Sequence, residues 1–300
     1  MIRLNNFSTT NECMQRSLFK KLQDKKKIIV MPGVYDALSA RIAEQIGFEV
    51  VFQSGYSVSA GILGMPDYGF LNAGETVEQA RKIVRAISIP LIVDVDTGYG
   101  NPLTVWRLIR DLEKAGAAGV FLEDQVWPKR CGHMSGKQVV PIDDYLQKLK
   151  AAVEAKRNKE FVIVARTDAI EPIGLDEAIR RGREYRKAGA DAVFIEAPRT
   201  IDDLRKIGRS VDAPLVANMM EGGKTPLLSA EELRKLGFRL VVFPLTALFA
   251  TTYAIQEAFS ALKTKGITKS FMNRMVTFEE FNKLVDLPKY KKMEQKYKSI

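Results

Sequence analysis

One histidine, His133, and two cysteines, Cys13 and Cys131, are all that 300 residues offer in imidazole or thiolate metal ligands. Cys131 and His133 form a lone C-x-H pair, so a tetrahedral zinc site would have to recruit Cys13 and carboxylates, which argues against zinc. Two cysteines cannot make a disulfide framework, and the expected compartment is a reducing cytoplasm. Long apolar runs are missing too. The longest, 117–122 and 161–165, are strand-sized, far below the roughly 18 residues of a membrane span. The first 27 residues are polar, end in Lys25-Lys26-Lys27 and lack the apolar core of a signal peptide. Gly222-Gly223-Lys224-Thr225 lacks the spacing of a phosphate loop. It reads as a mobile strand-end loop that could touch substrate.

The net charge of +10 invites a nucleic-acid reading. Its distribution argues against one, since the cations are scattered over helical faces or gathered near the C-terminus without aromatic platforms. A basic enzyme that captures a small carboxylate fits the balance as well. No nucleic-acid or membrane partner is expected.

What is present is alternation. Apolar runs at 28–31, 50–53, 91–94, 119–123, 161–166, 192–196, 215–218 and 240–243 predict strands, and amphipathic stretches between them predict helices. Several helical stretches stop at glycine, as at Gly116, Gly189 and Gly237. Eight such units predict an α/β fold, a (β/α)8 TIM barrel, over 28–264. A segment 1–27 precedes it, and helices fill an extension over 265–300.

In such a barrel the C-terminal strand ends carry the chemistry. Read in order, those ends give Ser54-Gly55, Asp94 and Asp96, Glu123-Asp124, Arg166, Glu196 and Asn218. Asp94 and Asp96, two apart in extended chain, project to one side, and Glu123 ends the next strand. Three carboxylates without histidine or cysteine at ligand spacing suit a hard cation, Mg²⁺ with Mn²⁺ as a substitute. The competing reading makes them loop caps and a lysine partner. Lys129-Arg130-Cys131-Gly132-His133 is the second unusual segment: two cations there could lower the thiol pKa, or the thiol could be merely structural. The five residues alone leave both open.

Taken together, Asp94-Val95-Asp96-Thr97-Gly98-Tyr99-Gly100, Glu123-Asp124-Gln125 and Lys129-Arg130-Cys131-Gly132-His133 resemble the signature of the isocitrate lyase/phosphoenolpyruvate mutase superfamily. The likeness runs from about Met31 to Lys296, through Phe52-Gln53-Ser54-Gly55-Tyr56 and Ala165-Arg166-Thr167-Asp168. Within the superfamily the chain resembles the branch holding methylisocitrate lyases, dimethylmalate lyases and the plant petal death protein. The resemblance implies a Mg²⁺-dependent enzyme with Asp94 as a direct ligand and Asp96 and Glu123 acting directly or through water. It implies that Ser54, Gly55, Tyr56 and Asp67 line the site, and that Arg166, Glu196 and Asn218 orient substrate. Residues around Cys131 would form a gating loop, with Lys129, Gly132 and His133 in it. Members often form homotetramers, dimers of dimers, that exchange C-terminal helices.

The implied reaction is retro-aldol cleavage of a 2-hydroxy di- or tricarboxylate to a 2-oxo acid, with Cys131 protonating the departing carbanion. Rivals are oxaloacetate hydrolysis, phosphorus–carbon bond chemistry and a non-catalytic anion-binding barrel. The hydrolases typically carry serine where this chain has Pro244, which lowers that reading. An intact Asp94, Asp96, Glu123 and Cys131 argues against a scaffold. Tyr56, where methylisocitrate lyases more often have a small residue, suggests a different distal arm on the substrate.

Overall fold

The computed structural model describes residues 18–24 and 26–298. Cys13 lies outside them. Eight parallel strands close into a barrel in sequence order: β1 (Ile29–Val34), β2 (Val51–Gln53), β3 (Leu91–Asp94), β4 (Gly119–Glu123), β5 (Val162–Thr167), β6 (Ala192–Ile195), β7 (Leu215–Asn218) and β8 (Phe238–Phe243). Pairing of β8 with β1, Leu240 opposite Ile29, seals the sheet. Between the strands run α1 (Ala37–Ile46), α2 (Ala73–Ala86), α3 (Pro102–Ala115), α4 (Ile142–Ala155), α5 (Leu175–Lys187), α6 (Ile201–Ser210) and α7 (Ala230–Lys235). The expected TIM-type barrel is present, with every expected strand within a few residues of its place.

Strands covered on both faces must be apolar on both, which is why they read as unbroken runs rather than alternating ones. Outward residues such as Val120, Leu122, Ile163 and Ala165 pack under the helices with Leu108, Leu112 and Leu149. Inward residues Met31, Phe52, Ile92, Phe121, Val164, Phe194, Val216 and Leu240 fill the barrel itself. Leu18 and Leu22, one helical turn apart within the helical residues 18–23, are buried in that same interior cluster. The segment read as polar thus contributes core in its described part: two leucines at i, i+4 suffice to give a short helix one apolar stripe.

The strand-to-helix turn after β3 is specified locally. Asn101 caps α3 by accepting from Leu103 and Thr104 N–H, and Pro102 opens it. Gly98 takes φ +84°, and a Cβ there would come within 2.4 Å of Val105. Asp96 sits at φ 48°, a conformation that costs a non-glycine residue on the order of 1 kcal/mol or more. That cost falls at the barrel mouth. No helix among the described residues is long and apolar enough to cross a membrane.

The chain divides into two compact units, Met1–Ala247 and Leu248–Ile300. The second holds most of α8 (Thr246–Lys265), a short 3-10 turn over Lys269–Arg274, α9 (Phe278–Leu284) and α10 (Leu287–Lys298). Among its described residues only Phe271 is a buried apolar side chain, while Phe249, Tyr253, Phe259, Leu262, Met272 and Phe278 are exposed.

Candidate active site

Period-two alternation builds the site. Two residues beyond each inward apolar side chain, the next inward position lies at the mouth. Phe52 is followed by Ser54, Ile92 by Asp94, Phe121 by Glu123, Val164 by Arg166, Phe194 by Glu196, Val216 by Asn218 and Val242 by Pro244. The core thus changes from carbon to oxygen and nitrogen within one pleat. A cavity opens there, with Ser54, Tyr56, Asp67, Asp94, Cys131, Gly132, His133, Arg166, Glu196, Asn218 and Pro244 in its wall. Phe52, Phe121, Phe194, Val242, Met220 and Leu245 complete it.

Gly55, Asp96, Glu123 and Lys129 stand around this cavity rather than in its wall. Lys129, only 2% exposed, pairs with Asp67 and lies 2.7 Å from Asp96. Glu123 and Arg166 are register partners on β4 and β5, and their side chains meet at 3.2 Å. Arg166 also donates to Asp168 from Nε (2.8 Å) and Nη2 (3.1 Å), reaches Glu196 at 3.3 Å and stacks over Phe194. Asp94, Asp96 and Glu123 therefore do not converge on one point: among the described residues no group of three or more such side chains is arranged to hold a metal directly.

Six carboxylates, Asp67, Asp94, Asp96, Glu123, Asp168 and Glu196, share three permanent cations, Lys129, Lys137 and Arg166. Burial pushes Asp94 up, against the pull of Lys129 and Arg166. It pushes Asp96 to about 6 and Glu123 well above the usual range, each against nearby cations. Glu196 is the opposite case. Burial raises it, but Arg166 and the bonded His133 outweigh that and hold it well below the ordinary value.

A hard divalent cation fits these residues. Glu123 Oε1 is buried with no hydrogen-bond or ion-pair partner. Gly55 leaves the oxygens of Asp94 and Asp96 open, since a Cβ there would stand 3.0 and 3.4 Å from them. Asp94 faces the cavity, and Asp96 and Glu123 can reach it through water.

The segment after β4 is docked over the mouth. Gln125 clamps Arg130 through both backbone groups, at 2.8 and 3.0 Å. Lys137 donates to the Gly132 carbonyl and to Asp168 (3.0 Å). His133 Nδ1 accepts from the Lys224 N–H at 2.8 Å, which places the neutral ring's proton on Nε2, 3.4 Å from Glu196. Gly132 must be glycine, because a Cβ would meet Glu196 and Arg166 at 2.5–2.6 Å.

One reading left open above narrows here, and one expectation needs correction. The Cys131 thiol is pushed up to about 11, first by burial and then by Asp67, with Lys129 only partly opposing them. Arg130 turns away, donating to Ser135 O and stacking over Tyr68. Cys131 is held as a thiol. The Gly222–Lys224 turn is also no free loop: it receives His133, and Lys224 bonds Met134 O and Glu171. Sequence reasoning assigned nothing to Lys137, Asp168 or Glu171. Asp168, two residues beyond Arg166, carried a readable signal; Lys137 and Glu171 meet only in the fold.

The phosphoenolpyruvate phosphomutase family model matches residues 19–263. The petal death protein of Dianthus caryophyllus is 48% identical over 95% of this chain and 90% of its own length. The 2,3-dimethylmalate lyase of Eubacterium barkeri is 43% identical over 93% of this chain and 96% of its own. An oxaloacetate acetylhydrolase solved with 3,3-difluorooxalacetate superposes with a TM-score of 0.90 at 34% identity, covering 95% of this chain and 97% of that one.

Proposed function

Because the chain belongs to the phosphoenolpyruvate mutase/isocitrate lyase superfamily, whose members similar to it are lyases, hydrolases and mutases, we propose that it is a carbon–carbon lyase. Its substrate on this reading is a 2-hydroxy dicarboxylate of the 2-alkylmalate type, split into a 2-oxo acid and a second carboxylate. The observation that carries the reading is Cys131, a protonated thiol in the cavity wall beside the carboxylate cluster. Cleavage leaves an electron pair on carbon that needs a proton, and a phosphoryl shift does not.

Mg²⁺, held by Asp94 with Asp96 and Glu123 through water, would supply Lewis-acid chemistry that lowers the substrate hydroxyl pKa. The surplus of carboxylates over cations makes that charge a condition for admitting an anion. The chain's own groups do the rest. Arg166 faces the developing carboxylate charge. Asn218, in the cavity wall beside His133 and Glu196, offers its side-chain amide to the substrate's oxygens. The 120s–130s segment, latched by His133 and Lys137, excludes water. As the C–C bond breaks, the substrate hydroxyl gives up its proton to water or a carboxylate of the cluster, and Cys131 Sγ delivers its own to the leaving carbon, regaining it from solvent when the products leave.

The substrate arm follows from the wall. Among the described residues Arg166 is the cavity's one permanent cation, and carboxylates already occupy all three of its nitrogens. Met220, Val242, Pro244 and Leu245 offer apolar surface instead. A third carboxylate would be buried without a partner, which costs several kcal/mol. Incubation with Mg²⁺ and 2,3-dimethylmalate, citramalate or 2-methylisocitrate, with pyruvate or the 2-oxo acid measured, is expected to favour the dicarboxylates by about 10²-fold in kcat/KM. Oxalate released from oxaloacetate, with no hydroxy acid cleaved, would replace this reading by hydrolysis. The similar acetylhydrolase keeps that alternative in view. Pro244, which presents no hydroxyl, speaks against it.

The second unit supports a proposal about assembly. A segment of some fifty residues whose described side chains include one buried apolar group and many exposed ones cannot offset its own ordering entropy. A second copy covering it, within a homotetramer, would. Native mass spectrometry at low micromolar concentration is expected to show four chains, and Phe259→Asp to shift the population toward smaller species. A monodisperse monomer would refute the proposal.

A further inference from the structure

We infer that Asp124 is a positioning residue for the active-site arginine, acting through Asp168 from outside the cavity. The inference rests on the lyase reading only for the step that Arg166 serves. Asp124 follows Glu123 at the end of β4 and is fully buried, yet it does not line the cavity. Its carboxylate accepts four hydrogen bonds. Oδ2 takes Thr167 Oγ1 (2.7 Å), Tyr185 OH (2.7 Å) and Arg181 Nη1 (2.9 Å), and Oδ1 takes the backbone N–H of Asp168 (2.9 Å).

These donors come from two elements, Thr167 and Asp168 at the end of β5 and Arg181 and Tyr185 on α5. A single carboxylate thus ties β4, β5 and α5 together at the height where Arg166 leaves the sheet. Asp168 in turn grips Arg166 by two nitrogens and holds Lys137, which holds the Gly132 carbonyl of the docked segment. The chain of contacts runs Arg181, Asp124, Asp168, Arg166, with every partner buried. A guanidinium held by two donor bonds follows any tilt of its acceptor. Asp168 stands one residue past the end of β5 at Thr167, where its backbone N–H donates to Asp124, so that bond helps fix its tilt.

Asp124→Asn preserves shape but presents an NH₂ or a misplaced oxygen to Arg181, which cannot accept a hydrogen bond. A displacement of about 1 Å at Arg166 is expected to lower kcat roughly 100-fold. The affinity for oxalate, a planar dianion mimicking the 2-oxo acid product, is expected to weaken about tenfold by calorimetry in Mg²⁺. The deciding measurement is a double-mutant cycle with Arg166→Lys, read in both quantities. Asp124→Asn is expected to add less than about threefold to the loss already caused by Arg166→Lys. Tyr185→Phe, which removes one donor but spares the Asp168 and Arg181 bonds, is expected to keep kcat within about threefold despite lower stability.

Multiplicative losses in the cycle, or an Asp124→Asn enzyme as active as wild type, would overturn the inference. If Asp124→Asn does not fold, Arg181→Lys, which keeps the charge but gives up Nη1, enters the same cycle with the same expectation. The oxalate arm separates the two ideas. A wild type that binds oxalate but cleaves no hydroxy acid defeats the lyase reading alone, and an additive cycle in oxalate affinity defeats the positioning role alone.

Discussion

Cys131→Ser is expected to lower turnover by at least about 10³-fold while leaving Mg²⁺ affinity within about twofold. The swap is nearly isosteric, so the docked segment should keep its contacts through Gln125, His133 and Lys137. What changes is the acid. The thiol is raised to about 11, and a serine hydroxyl is far weaker still and gives up its proton too late to trap a leaving carbanion. The raised pKa also sets a reactivity pattern. A thiol is protonated below its pKa, so at pH 8 only about one molecule in 10³ carries the thiolate. Alkylation of Cys131 by iodoacetamide should therefore be slow at pH 8 and rise about tenfold per pH unit toward 11. Rapid labelling at pH 7, or a serine variant with turnover within a few-fold of wild type, would remove Cys131 from the proton-donor role.

The state of that thiol shows where one-dimensional reading stops. Lys129 and Arg130 stand beside Cys131 in sequence, and adjacency alone left an activated thiolate and a quiet thiol both open. In space Lys129 is spent on Asp67 and Asp96, and Arg130 faces away. Charge that is already paired cannot lower a neighbour's pKa by its full amount. By contrast, the strand ends were legible because parity is local. Once Phe121, Val164 and Phe194 point inward, Glu123, Arg166 and Glu196 must follow at the mouth. Barrel closure was legible from eight repeats of one pattern. The short helix over Gly55–Val58, which runs into a π-helical turn over Ser59–Leu63, was not, because four to five residues carry no period. Contacts such as Lys137 to Asp168 and His133 to Lys224 join residues 31 and 91 positions apart. No spacing rule reaches across one strand–helix unit, still less across three.

Lys129→Met carries the second large expectation, this time in stability. Lys129 Nζ stands between Asp67 and Asp96, with its pKa well above the usual value because the surrounding carboxylates overcome the cost of burial. Methionine fills the same volume without charge. Two carboxylates then face a cluster already rich in negative charge, and breaking a buried pair from one side typically costs about 3–5 kcal/mol. In EDTA the variant should unfold at markedly lower denaturant than wild type, with an unchanged m-value. Added Mg²⁺ should stabilise it more than it stabilises wild type. An ion that binds the native state alone contributes in proportion to the logarithm of its saturation, and removing the competing ammonium beside Asp96 strengthens the site. Equal stabilisation of both proteins by Mg²⁺ would mean that Lys129 and the cation answer to different carboxylates. An unchanged midpoint in EDTA would mean that Asp67 and Asp96 find other partners when the lysine goes. Turnover should fall with either outcome for the ion, because Lys129 also fixes Asp67 in the cavity wall. For that reason the folding measurement, and not the rate, decides what the lysine is for.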